Sequence, residues 1–98
     1  MSSKAFAEKR FLAEVSNEKE FFFHTGVHVN NITDFSHIVE DLSEEEVARY
    51  VNKEKNDFAS WVSEVVGDKK LAGQLKKARK KPTILKKIED RISYLRHL

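Results

Sequence analysis

The sequence contains no cysteine. That excludes a disulfide framework, a thiolate zinc site and a thiol nucleophile together, and it fits a reducing compartment. The three glycines, Gly26, Gly67 and Gly73, stand far apart, so there is no glycine-rich phosphate loop. No apolar run approaches the ~18 residues of a membrane span. The first twelve residues set Lys4, Lys9 and Arg10 among scattered apolar side chains, with nothing resembling the apolar stretch of a secretory signal. A cytoplasmic location is the expectation by elimination.

With 98 residues, the chain has room for one domain. It is 40% hydrophobic and 35% charged, and a domain of this size buries only about two thirds of its unfolded surface. Its core must therefore rest on a few large side chains, which seven Phe and the single Trp61 can supply. The net charge of +2 conceals an imbalance. Residues 1–49 hold five Lys/Arg against ten Asp/Glu, and residues 50–98 hold thirteen against six. From Lys69 to Lys87 there are nine basic residues and no acidic one, the only compositional hint of a partner.

Residues 1–19 read as a short helix or a frayed arm, with Ala7, Phe11 and Val15 recurring at steps of four. Residues 20–98 read as a single compact domain. Phe21-Phe22-Phe23 is too aromatic for a solvated helix and reads as a buried strand; Thr25-Gly26 supplies a two-residue turn and Val27-His28-Val29 a second strand. Thr33 caps a helix carrying Phe35, Ile38, Val39 and Leu42. Ser43 opens another, with Glu46 completing a capping box. Asn56 or Asp57 caps the strongest amphipathic run, Phe58, Trp61, Val62 and Val65. Gly67 suits a left-handed helix end, and Asp68 caps the next helix. Lys81-Pro82 breaks that helix, and a last one follows with Leu85, Ile88, Ile92 and Leu95. The fold class is α+β and helix-dominated: a small N-terminal β-hairpin packed on about four helices.

Val51-Asn52, Asn56-Asp57-Phe58, Trp61-Val62, Gly67-Asp68 and Leu71-Ala72 follow one another in a single stretch. In this order they resemble a family of small uncharacterised domains found mostly in archaea and in some bacteria. The resemblance covers roughly residues 20–80. Family members often place His before the Val-Asn pair, where this chain has Tyr50. The resemblance implies fold boundaries and no activity.

Candidate chemistry is sparse. His24 and His28 would share a helical face, but in a hairpin with a two-residue loop they point to opposite sides, and no third metal ligand is near. His37 and His97 stand alone. Asp57 and Glu64 are seven apart with no sign of a cleft to split their pKa values. Ser60 and Ser63 have no histidine within a turn. Asn52, Asn56 and Asp57 form a polar motif; on a continuing helix the two asparagines would share a hydrogen-bond network beside a kink. Lys69, Lys76, Lys80 and Lys87, with Lys70, Lys77 and Lys81 beside them, would make a basic stripe suited to phosphates, although base-stacking aromatics are absent from residues 69–93. The Leu85–Leu95 seam is shorter than two heptads; it suits either the chain's own core or a second copy.

These features point to a non-enzymatic interaction or adaptor domain that binds a protein partner through a helical surface, with no cofactor and no metal. The alternative is a nonspecific nucleic-acid-binding protein that uses residues 69–87. A homodimer is a further expectation.

Overall fold

The computed structural model describes residues 7–98. Its architecture is α+β and helix-dominated, with a two-stranded antiparallel hairpin packed on several helices. Strands β1 (Phe21–Phe22) and β2 (His28–Val29) pair in the register Phe21↔Val29 and Phe22↔His28. Alternation along the first strand sends Phe21 and Phe23 inward and leaves Phe22 62% exposed.

The turn differs by one residue from the sequence-based expectation. Phe23 N–H donates to the Val27 carbonyl at 2.8 Å, and Gly26 N–H returns to the Phe23 carbonyl at 3.0 Å. The loop is therefore His24 to Gly26, three residues long. Gly26 takes the positive φ of 93° that such loops require at their last position.

Helix α1 (Ile32–Asp41) is capped by Asn31, not by Thr33. Asn31 is extended, and its side chain accepts the Asp34 N–H at 2.8 Å. This earlier start brings Ile32 into the core beside Phe35 and Val39. Helix α2 (Glu44–Val47) is a single turn held by the full Ser43–Glu46 capping box. The chain then turns rather than continuing as helix, closing with a bridge between Val51 and Asn56.

Helix α3 (Asp57–Trp61) is capped by Asn56 and widens into a π-helix over Val62–Val66. The widening has a clear cause. Gly67, at φ 88°, reverses the chain so that its N–H and that of Asp68 both reach the Val62 carbonyl, at 2.8 and 3.1 Å. Helix α4 (Lys69–Leu75) starts at Asp68 and ends well before the lysine-proline break. Helix α5 (Lys81–Arg96) carries Pro82 in its first turn and packs along α1 and α4.

The core is an aromatic cluster. Phe35 and Trp61 stack at 5.1 Å, and Phe21 meets Phe35, Phe58 and Trp61 edge-on at 5.2 to 5.8 Å. Trp61 is buried, and its indole N–H donates to the Lys19 carbonyl at 2.8 Å. Phe58 and Trp61 are thus interior side chains.

One charged group joins the ends of the chain. Arg91 lies on the inner face of α5 at 7% exposure. Its Nε donates to Asp68 Oδ2 at 2.7 Å, and its Nη2 to Asp68 Oδ1 and Glu8 Oε2, each at 3.1 Å. Burial alone would make this guanidinium easier to deprotonate. The bonds and charge of Asp68, then of Glu8, outweigh that and hold its pKa above the usual value. Phe11 packs beside the same group, its ring centroid 5.9 Å from the guanidinium carbon, so residues 8–11 are fastened to the body of the domain.

Removing one partner of a buried pair strands the other as an uncompensated charge. Arg91→Ala is therefore expected to lower unfolding free energy by about 3–5 kcal/mol, read by urea denaturation. Arg91→Lys, which keeps the charge but loses the two-point geometry, is expected to cost less.

Candidate functional site

Three places gather chemistry-bearing side chains. The first lies at the hairpin turn. Tyr50 Oη accepts the His24 backbone N–H at 2.6 Å and lies 2.7 Å from His24 Nδ1, while His24 Nε2 lies 3.0 Å from Glu46 Oε2. With Tyr50 donating to Nδ1, the imidazole carries its proton on Nε2 and donates it to Glu46. Such a carboxylate–imidazole–hydroxyl chain is the raw material of proton transfer. Here, however, Tyr50 is 7% exposed and packs against Phe21, Phe23 and Phe58. The chain pins the hairpin turn to α2. His28 goes elsewhere, to Glu20 at 3.1 Å. Among the described residues no group of three or more His, Cys, Asp or Glu side chains is placed to hold a metal ion.

Glu46 is held below the usual carboxylate range, first by the Ser43 backbone N–H of the capping box and further by its bonds to His24 and the Ser43 hydroxyl.

The second place is a groove of about 320 Å³ between α1 and α5, with Thr33, Ser36, His37, Glu89 and His97 in its walls. His97 Nδ1 donates to the Ser93 carbonyl one turn back on its own helix, at 2.6 Å. No hydrogen bond joins a serine hydroxyl to an imidazole there among the described residues.

The third is a recess of about 640 Å³ where α4, the following loop and α5 meet. It is lined by Lys70, Gly73, Gln74, Lys76, Lys77 and Lys87. A sequence-based stripe on one continuing helix is not what forms this surface, because α4 stops at Leu75. Lys69 turns away to the carbonyl and hydroxyl of Ser63, at 2.8 and 3.0 Å. Lys81 bonds the Glu40 carbonyl through its ammonium group and Glu44 through its backbone N–H. Lys80 is exposed at the start of α5, outside the recess lining. Four of the seven expected lysines come together, and none of those four is in an ion pair among the described residues.

The polar motif disperses. Asn52 donates to the Ala48 carbonyl and accepts from Glu54 N–H, whereas Asn56 donates to the Leu75 carbonyl and caps α3. No network joins the two, because the helix expected between them is a turn. Asp57 pairs with Lys55 at 2.8 Å.

Two residues matter that sequence reasoning passed over. Arg91 interrupts the apolar series Ile88, Ile92 and Leu95 on the inward face of α5, and a charge inside such a stripe was a legible signal. Tyr94, 47% exposed, lies one residue beyond the aromatic-free stretch 69–93. Comparison with protein-family models, with curated proteins and with solved structures finds no match for this chain.

The Glu46 shift has a definite sign. A carboxylate with a depressed folded-state pKa contributes stability above its unfolded value and loses it as pH falls through the folded one. The melting temperature is expected to fall on acidification below about pH 4.5, and Glu46→Gln to flatten that acid limb. Thermal melts at pH 6, 4 and 3 check both.

Proposed function

We propose that this domain is a non-enzymatic binding module whose basic recess at the α4–α5 junction engages a phosphate-bearing polyanion, nucleic acid being the matching class. One observation carries the reading: Lys70, Lys76, Lys77 and Lys87 line a recess that contains no carboxylate. Each ammonium group brought against a phosphate releases condensed counterions, which supplies affinity without base recognition. The floor is open, since a Cβ added at Gly73 would meet nothing within 4 Å.

Protein docking through a helical surface has less support. Among the described residues the helices leave one large hydrophobic side chain exposed, Tyr94, whereas protein interfaces depend on buried aromatic and aliphatic anchors. A homodimer through the α5 seam is weakened in the same way, because Ile88, Ile92 and Leu95 are occupied with the domain's own core. A protein-binding reading survives at the hairpin, where Phe22 stands exposed with its ring 5.2 Å from His28.

Fluorescence anisotropy with a labelled oligonucleotide at about 50 mM salt is expected to show binding that falls steeply as salt rises. Replacing the four lysines by alanine is expected to flatten the log–log salt slope by about 0.7–0.9 for each phosphate that is no longer neutralised. Absence of binding at the lower salt overturns the proposal.

A further inference from the structure

The basic recess does not end at Gln74. Lys70 and Gln74 also line an adjoining hollow of about 160 Å³ whose other walls are Asp90, Arg91 and Tyr94. A continuous surface thus runs from Lys76, Lys77 and Lys87, past Lys70 and Gln74, to the ring of Tyr94. The aromatic that residues 69–93 lack is supplied by the next residue, carried to the hollow beside the basic recess by the packing of α5 against α4.

The ring is also held in place. The Arg91 guanidinium carbon sits 5.2 Å from its centroid, and Arg91 is itself fixed by Asp68 and Glu8. The side chain is nevertheless 47% exposed. The carboxylates at this end already have partners: Asp90 lies 3.2 Å from Lys86, and Glu8 lies 3.1 Å from Arg91. Asp68 and Glu8 share the single charge of Arg91, which leaves one net negative charge among these groups against the four lysines of the recess.

A positive groove that leads to a supported, outward-facing aromatic ring matches the way single strands are bound. The groove follows the phosphates, and an unstacked base lies on the ring. A duplex gains nothing from Tyr94, because its bases are stacked on one another. We infer that the ligand of the α4–α5 surface is single-stranded nucleic acid, with Tyr94 the base-stacking residue and Lys70, Lys76, Lys77 and Lys87 the phosphate contacts. This rests on the polyanion reading above and narrows it to one class.

The test compares three probes by anisotropy on the full chain: a single-stranded oligonucleotide, the same sequence as duplex, and heparin, which is polyanionic but has no bases. The wild type is expected to bind the single strand more tightly than the duplex. Tyr94→Ala is expected to weaken single-strand binding about 5- to 150-fold, leaving the heparin affinity and the salt slope unchanged; Tyr94→Phe restores single-strand binding. The Tyr94 ring protons are expected to move upfield with the oligonucleotide and not with heparin. Thermal melts of both variants confirm the fold, and a Tyr94→Ala that does not fold leaves the ring-proton shift in the wild type to decide. If all probes bind but none distinguishes Tyr94→Ala from wild type, the stacking inference falls and the charge-only reading stands. If none of the three binds at low salt, both fall. Preference for duplex or for heparin over the single strand also overturns the inference.

Discussion

Burying the Asp68 carboxylate, at 1% exposure, is the constraint that organises this molecule. An ionised carboxylate removed from water costs several kcal/mol unless charge and hydrogen bonds replace its hydration. Asp68 obtains that replacement from the Leu71 N–H and from two donors of Arg91. The two donors fix the α5 helix against the α3–α4 junction in a way apolar packing alone would not, because a fork of fixed geometry tolerates little sliding. Glu8 accepts from the same Nη2 that reaches Asp68, so the N-terminal segment, the helix junction and the last helix depend on one group.

The consequences extend to the surface. Arg91 lies beneath Tyr94, and the turn that presents Lys70 starts at Asp68. The buried ion network and the candidate binding face are two sides of one arrangement. A long side chain such as Lys can swing widely, but the backbone that carries Lys70 is anchored within two residues of a buried charge.

The aromatic cluster is a second and largely independent anchor. Side chains from Phe21 to Trp61 in sequence converge there: Phe21, Phe23, Phe35, Tyr50, Phe58, Trp61 and, at its margin, Val29. A two-stranded hairpin is marginal by itself. It persists because two of its phenylalanines belong to the core and because Tyr50 and Glu46 hold its turn through His24. Glu46 serves both the helix cap and the hairpin, which explains why a single-turn helix such as α2 is ordered at all.

What the sequence determined by itself was whatever is local. Helix ends at Ser43, Gly67 and Asp68 were legible because capping depends on residues within four positions of each other. The identity of the core was legible too, since Phe58, Trp61 and Val62 repeat at helical spacing. The local pattern misled where a neighbour in sequence competed: Asn31 with Thr33 for one cap, a three-residue loop with a two-residue one, a turn with a continued helix between Asn52 and Asn56. Only the tertiary structure decided the partnership of Arg91 with Asp68 and Glu8, which lysines share a recess, and that Tyr94 lines the hollow adjoining it. Those depend on how α5 lies across α4, and charges have no periodicity that reveals a partner 23 or 83 residues away.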